Sequence, residues 1–250
     1  MTLGRVATGS SVRFLSVALV GFVASVAGSQ TPSQFAAWDA LMLSPIGALT
    51  PTVSAAVDTP PTNMFALRFG RWRYNSDDAA HEAYAVTWSR ALGSRSRASI
   101  TAGYLYLSCT NCGGWEVAGL DFETLLWHPA IHPFEGRPAK ASLGARFSVG
   151  AGLLRQDPAA VARSTALEAP IDFCVRYSTS HELRASLTPG LGYGSMWAQG
   201  AGSDGGVLPM LGFTVASDLT SSAGMELGAH RVFIAKGPLE LGVSLTWGIR

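Results

Sequence analysis

The last twelve residues of the chain, 239–250, alternate between apolar and polar or small side chains without a break. Neighbouring side chains of a β-strand point to opposite faces, so this pattern predicts a strand with one apolar and one polar face. Its length exceeds the roughly five or six residues of a common strand, and roughly 9–11 residues are what a tilted strand needs to cross a membrane. The terminal segment therefore favours a sheet that spans a bilayer. Its apolar face consists of Leu239, Leu241, Val243, Leu245, Trp247 and Ile249.

The same period of two recurs upstream and predicts nine further strands from Met64 onward. They are expected at about 64–74, 82–90, 97–107, 115–126, 141–153, 170–178, 182–194, 206–217 and 222–234. The alternation is cleanest in 141–153 and poorest in 97–107, where both faces carry large apolar side chains. We therefore predict an all-β fold, an antiparallel up-and-down transmembrane β-barrel of about ten strands, with eight as the alternative count.

The connections between these strands support an exported barrel, in which turns on one side are short and loops on the other are longer. If the first strand leads outward, 155–169 and 195–205 are long outer loops, rich in polar residues or glycine. Three of the four inner turns are short, and 127–139 is the long one. The outer connection 235–238 is short for a loop on that side.

The first 29 residues are expected to be a secretory signal peptide. Arg5 and Arg13 form a basic start, and Phe14–Val26 is an apolar core followed by small residues suited to cleavage. The alternative is a helical anchor, but a core of 13 residues is shorter than the roughly 20 that a membrane-spanning helix needs. The export signal places the mature chain outside the cytoplasm.

Residues 30–63 are rich in proline and small residues, and we expect an N-terminal extension or linker there. A short helix over 33–43 is the alternative, because Phe35, Trp38 and Leu41 lie on one helical stripe. The barrel itself is expected over 64–250.

Composition separates a membrane barrel from a soluble one. Only 14% of the residues are charged, against about a quarter in soluble domains, and 28 are glycine. The polar faces of the strands are mostly glycine, serine and threonine with few lysines, which makes a poor water-facing surface. A soluble exported β-barrel or sandwich that binds a ligand is the alternative. The net charge of +1 gives no electrostatic reason to expect a nucleic acid partner.

Aromatic residues lie mostly near the ends of the predicted strands, as an interfacial girdle requires. We assign to this girdle Trp72, Tyr74, Trp88, Tyr104, Tyr106, Trp115, Trp127, Tyr177, Tyr193 and Trp247.

The polar faces also collect charges of both signs, which we expect to face the lumen. In a barrel of about eight strands side chains fill the interior, and ten strands leave little more room. A network of ion pairs bracing the lumen is the simplest interpretation, and a selective pore is the sharper hypothesis. The residues are Arg68, Asp121, Glu123, Arg146, Asp172, Arg176, Arg184, Glu226, His230 and Glu240.

Two cysteines, Cys109 and Cys112, lie three residues apart between two predicted strands. In an oxidising compartment such a pair favours a loop disulfide over a reactive or metal site. No zinc signature, phosphate loop or nucleophile elbow is present, so no catalytic residue, metal or cofactor is expected.

A rim hydrolase is the enzymatic alternative. Asp77, Asp78, His81 and Glu82 lie in or beside the first outer connection, and an Asp/His cluster can activate water. No second matching pair lies on an opposing loop, so we expect no enzyme.

Over residues 64–250 the chain resembles small bacterial outer-membrane β-barrel proteins as a class. Their last strand carries an assembly signal of the form polar–Gly–x–x–hydrophobic–x–aromatic, whose last three defined positions Gly242, Leu245 and Trp247 fill. Leu241 stands at the polar position, and three residues follow the aromatic one. The resemblance implies an outer-membrane location, with the lipid bilayer and the assembly machinery as partners. The function then expected is a structural or surface-interaction protein, or a narrow passive channel.

Overall fold

The computed structural model describes residues 62–73, 80–93, 95–107, 114–127, 140–156, 160–176, 182–198, 202–220, 222–233 and 239–249. Every regular element in these ranges is a β-strand. The strands are β1 Asn63–Arg73, β2 Ala80–Ala91, β3 Ser96–Leu107, β4 Gly114–Trp127, β5 Lys140–Gln156, β6 Ala160–Glu168, β7 Ile171–Arg176, β8 Glu182–Ala198, β9 Gly202–Asp218, β10 Ala223–Val232 and β11 Glu240–Ile249. No helix in these ranges is long and apolar enough to cross a membrane.

The strands form one closed antiparallel sheet. Consecutive strands pair from β1 to β5 and from β8 to β11, and β11 pairs with β1. The segments β6 and β7 both lie between β5 and β8. They occupy one position in the wall, so the eleven segments make ten positions. The predicted count of ten is confirmed, and eight is excluded.

The break between β6 and β7 does not disturb the register. Glu168 is opposite Ser148 of β5, and Ile171 is opposite Ala145, so the pairing continues in step across the gap. Pro170 has no N–H to donate within this gap, and proline in the middle of a sheet removes a ladder hydrogen bond.

The strands are strongly staggered around the wall. Tracing register partners from Ser142 of β5 through every strand in turn returns to β5 at Leu154, twelve residues further along. Closing a sheet with such a stagger requires tilted strands, typically at about 35–45° to the barrel axis. The small lumen follows from the ten positions of the wall, since eight strands leave an interior that side chains just fill.

The predicted long outer loops, 155–169 and 195–205, are mostly strand in the structure, so this prediction is wrong. Residues 160–168 form β6, and residues within 195–205 extend β8 to Ala198 and start β9 at Gly202. The inward face of β6 carries Ala162, Ser164 and Ala166, which are too small to give an apolar signal. At 195–205 the glycines mark close packing of strands. A Cβ on Gly205 would lie 2.6 Å from the carbonyl oxygen of Gly194.

Several predictions fall outside the described residues. The signal peptide, nearly all of 30–63, the Cys109–Cys112 pair and the acidic residues Asp77 and Asp78 are among them. They stay predictions.

Candidate functional site: the two faces of the barrel wall

The outward face of the wall is apolar through its middle wherever the side chains are described. Leu120, near the middle of β4, is 60% exposed, and Leu67 and Leu227 are exposed by about half. Leu67 lies between the exposed Val86 of β2 and Leu245 of β11, so exposed apolar side chains continue from strand to strand. Other exposed members are Phe65, Val86, Ile100, Phe122, Leu167, Phe173, Leu187, Leu191, Phe213, Leu241 and Leu245.

Charged side chains interrupt this face only near the ends of strands, as far as the described residues show. Arg71, Glu82, Glu116, Arg163 and Arg231 lie within four residues of the strand ends at one rim, and Arg90 lies next to the last residue of β2 at the other. We call the first rim, which holds the connections after β1, β3 and β10, the upper rim. An uncharged band between two charged rims is the pattern that a hydrocarbon layer requires.

The inward face is polar and charged, yet most of its described side chains are buried from solvent. Arg97 is 2% exposed, and His230 is 1% exposed. Other buried polar residues of this face are Thr87, Ser89, Ser99, Thr101, Glu123, Ser164, Glu168, Asp172, Arg184, Ser186, Thr214, Glu226 and Ser244. A soluble barrel has the opposite arrangement, apolar inside and polar outside.

Arg68 of β1 is the centre of one charged cluster. The carboxylates of Glu226, Glu240, Asp121 and Glu168 all attract its guanidinium group. Burial of an arginine is costly unless opposite charges compensate it. Four carboxylates from strands all round the wall therefore converge on this one cation.

His230 of β10 joins this cluster beside Glu240 of β11. They are register partners, and His230 Nδ1 lies 3.7 Å from Glu240 Oε2. Gly70 makes room for this carboxylate, since a Cβ at that position would lie 2.5 Å from Glu240 Oε1.

Arg97 of β3 and Glu123 of β4 form the second charged cluster. They are register partners, both are buried, and the charge of Glu123 attracts the Arg97 guanidinium group. Arg184 of β8 lies close enough to repel it. This pair braces the lumen on the side away from the upper rim.

Short polar contacts tie neighbouring strands together beside these clusters. Ser186 donates a hydrogen bond to the carboxylate of Asp172, which joins β8 to β7. Thr87 and Thr101 join β2 to β3 through hydroxyl groups 2.9 Å apart. The interior therefore satisfies part of its polar groups within the wall itself.

An apolar layer lies above the charges, towards the upper rim. Leu105 of β3 is the register partner of Trp115 of β4, and Met210 of β9 is the partner of Val232 of β10. All four side chains are buried, and Leu105 has no exposed surface. The two pairs are five positions apart in a wall of ten, so they face each other across the lumen.

Sequence reasoning placed Trp115 in the outer aromatic girdle, and the structure shows that this is wrong. Trp115 has the same strand parity as Val117 and Glu123 and points inward, whereas Tyr104, Tyr106 and Trp247 are exposed on the outer face. The even spacing of Trp115 from Glu123 along β4 indicates that Trp115 points inward. Its position near the end of the strand does not indicate the direction of its side chain.

The residues predicted to face the lumen occupy the inward positions of their strands. Asp121, Glu123, Asp172, Arg184, Glu226, His230, Arg68 and Glu240 are intermediate or buried there. Arg146 and Arg176 lie in β5 and β7 on the same parity, but their side chains are not among those described.

Two interior charges were missed, Arg97 and Glu168. Arg97 shares its face with Ser99 and Thr101, a polar run that was obscured by Leu105 further along β3. Glu168 lies in β6, which was assigned to a loop. Extending the predicted strand 170–178 by two residues would have included Glu168, whereas Arg97 already lay within the predicted strand 97–107.

Glu82 is the one member of the predicted rim cluster whose side chain the structure describes. Glu82 points to the outer face, where its carboxylate lies 3.8 Å from Arg71 Nε and accepts a 2.8 Å hydrogen bond from Tyr84. No group of three or more potential metal ligands occurs among the described residues.

A closed antiparallel wall with an apolar outer band and a charged interior defines the class, a membrane-spanning β-barrel. No known family matches the sequence, and no curated protein matches it. The translocator domain of autotransporter NalP from Neisseria meningitidis is similar over 78% of this chain and 91% of that one, with 10% identity and a TM-score of 0.33. Omp33 of Acinetobacter baumannii is similar over 76% and 100%, with 8% identity and a TM-score of 0.31. Ail of Yersinia pestis is similar over 76% and 100%, with 9% identity and a TM-score of 0.25.

TM-scores this low carry no argument about fold or function. The class assignment rests on the strand pairing and on the polarity of the two faces.

Proposed function

We propose that this protein is a non-enzymatic integral outer-membrane β-barrel with a closed lumen, which acts as a structural or surface-interaction protein. The observation that carries the proposal is the burial of the interior. Arg97 and Leu105 lie near opposite ends of β3 and His230 lies on β10, and none of the three has appreciable solvent-accessible surface. A water-filled pore would leave such inward side chains exposed.

The outer-membrane location is supported by the physics of the wall. In hydrocarbon every backbone N–H and C=O must be paired, and a closed sheet with no edge achieves this. The exposed leucines, valines and phenylalanines of the outer face find their favourable environment in lipid, whereas in water a continuous patch of this size is an aggregation hazard.

The terminal strand supports the same proposal. Leu245 and Trp247 are exposed on the outer face of β11, and Gly242 pairs with both Gly70 and Gly228. The proposed assembly signal thus lies on the strand that closes the barrel against β1. The assembly machinery and the signal peptide of residues 1–29 remain parts of the proposal.

The narrow passive channel is the second candidate function, and the ten positions of the wall are what favours it. Ten strands enclose slightly more space than the eight that side chains just fill. Conductance of the refolded protein in a planar bilayer separates the two candidates.

Gel mobility tests the membrane barrel itself. The chain from residue 30 onward, refolded into detergent or lipid vesicles, should migrate differently on a denaturing gel before and after boiling. Flotation of the refolded sample with vesicles should follow the folded band. A soluble binding module is indicated instead if the protein folds in buffer without detergent and remains behind when vesicles float.

The hydrolase alternative has its own test. Substitutions Asp77→Asn and His81→Ala should leave the barrel folded and remove no hydrolytic activity towards peptide or ester substrates. Loss of a measured activity in both variants would establish the enzyme.

A further inference from the structure

We propose that the outer face of β10, β11, β1 and β2 near the upper rim binds the phosphate headgroup of an anionic membrane lipid, with its acyl chains on β11. The inference rests on the proposed membrane location. It concerns six residues, which we call the rim patch: Arg71, Glu82, Tyr84, Arg231, Leu239 and Leu241.

Two arginines flank β11 in this patch. Arg71 of β1 is the register partner of Leu241, and Leu241 is in turn the partner of Ala229 of β10. Arg231 follows Ala229 by two residues and therefore lies on the same face, one step closer to the rim. Since neighbouring strands are roughly 4.8 Å apart, the two arginine-bearing strands are separated by roughly 10 Å. A phosphate group placed over β11 is within reach of both long side chains.

Aromatic rings lie beside each of the two arginines or beside the residue that contacts it. The rings of Phe69 and Tyr84 lie 5.2 Å apart, and Tyr84 donates a hydrogen bond to Glu82. Glu82 then lies 3.8 Å from Arg71. On the other side, the Arg231 guanidinium group lies 5.7 Å from the ring centroid of Phe233.

The patch carries surplus positive charge. Its titratable groups are Arg71, Glu82, Tyr84 and Arg231, so one carboxylate faces two guanidinium groups. Arg231 has no carboxylate partner among the residues that the structure describes. A cation at the edge of the hydrocarbon is costly without a counter-charge, and a lipid phosphate supplies that charge through short charge-assisted hydrogen bonds.

The apolar centre of the patch distinguishes a lipid from a free anion. Leu239 and Leu241 are both more than half exposed between the two arginines. Acyl chains bury this surface while the phosphate engages the guanidinium groups, so both halves of the site are used only by a lipid.

The chain offers matched controls for the test. Arg90 is also an exposed arginine on the outer face, but it lies at the opposite rim, and its register partners on the neighbouring strands are Asn63 and Ala98 rather than a second arginine. Arg163 lies at the upper rim on β6, several strands away from the patch. Both therefore report the effect of removing one surface charge without touching the patch.

The experiment compares four refolded barrels: the unsubstituted chain, Arg71→Gln/Arg231→Gln, Arg90→Gln and Arg163→Gln. Each is released from phosphatidylcholine nanodiscs that contain a minor fraction of phosphatidic acid, and native mass spectrometry measures the retained phosphatidic acid. We expect an apparent affinity at least about tenfold lower for the double variant and no change for the two controls, because each hydrogen bond to a charged group is worth about one decade in affinity and the variant removes both guanidinium groups.

Three outcomes overturn the proposal. Equal retention by the double variant and the controls shows that no specific site exists, and equal loss in all three variants shows that charge alone matters. Displacement of the lipid by inorganic phosphate shows a simple anion site. Gel mobility before and after boiling is measured on the same samples to test the membrane barrel independently of the lipid site. A barrel that is folded but retains no lipid contradicts only the lipid site.

Discussion

Ala169 lies beside Pro189 on the neighbouring strand β8. A single backbone hydrogen bond of 2.9 Å, donated by Ala169 N–H to Pro189 O, joins them. In an uninterrupted antiparallel pair of this kind each residue donates to the other. Proline has no N–H, so the returning bond cannot form. Pro170 follows directly and removes a second donor. The two prolines together explain why one wall position is divided into β6 and β7 while its register is kept.

Restoring the missing donor should strengthen the wall. We expect Pro189→Thr to raise the free energy of unfolding by about 1 kcal/mol, since one backbone hydrogen bond is gained and is only partly offset by the lost rigidity of proline. Urea unfolding in lipid vesicles, followed by gel mobility, measures the change. Amide exchange should slow at residue 189 and at 169. A less stable variant would show that the break is not caused by the missing donor.

The Arg97–Glu123 pair should be costly to break and cheaper to replace. Removal of one partner of a buried ion pair typically costs about 3–5 kcal/mol, because it leaves the other charge without compensation. We expect that loss for Arg97→Met and a clearly smaller loss for Arg97→Met/Glu123→Met. The same unfolding assay applies. If the loss of stability in the double variant equals the sum of the losses in Arg97→Met and Glu123→Met, the two charges are not coupled.

Gly103 should be required by the close approach of β3 to β2. A Cβ there would meet the carbonyl oxygen of Tyr84 and lie 2.8 Å from the Cβ of Ala85. Because backbone cannot move as freely as a side chain, Gly103→Ala should destabilise the barrel by about 1–3 kcal/mol. The matched control is Ala102→Val, which adds more volume but on the exposed outer face. Equal stability of both variants would contradict the packing of this pair of strands.

The depth of the lipid-facing surface is open to a direct test. Leu120→Arg places a charge near the middle of the apolar band and should cost about 2–4 kcal/mol in vesicles, whereas Leu239→Arg at the upper rim should cost about 0–1 kcal/mol. Vesicle insertion and urea unfolding provide the readout. Similar small effects at both positions would mean that the band does not face hydrocarbon.

Strong alternation made most of this fold predictable from sequence. The strands β1 to β4 begin and end within two residues of their predicted bounds, since bulky side chains mark their outer faces. The segment β6 was missed because its inward residues Ala162, Ser164 and Ala166 are as small as loop residues.

The interior was predictable as a set of polar residues but not as an arrangement. Periodicity indicates that Glu226 and Arg68 face inward, but not that four carboxylates meet at Arg68, because this depends on the stagger of the closed sheet. The apolar layer of Leu105, Trp115, Met210 and Val232 also depends on the stagger of the closed sheet. It combines residues from opposite walls whose inward side the sequence alone did not identify.

Conductance in a planar bilayer tests the central claim, a membrane barrel whose lumen is closed by a charged layer and an apolar layer. The unsubstituted protein, shown to be folded by its gel mobility, should insert without discrete current steps. The variant Leu105→Ala/Trp115→Ala, which removes one side of the apolar layer, should show increased current noise or brief openings, whereas Ala102→Val should not. Stable, discrete openings of the unsubstituted barrel would contradict the closed lumen and establish the channel.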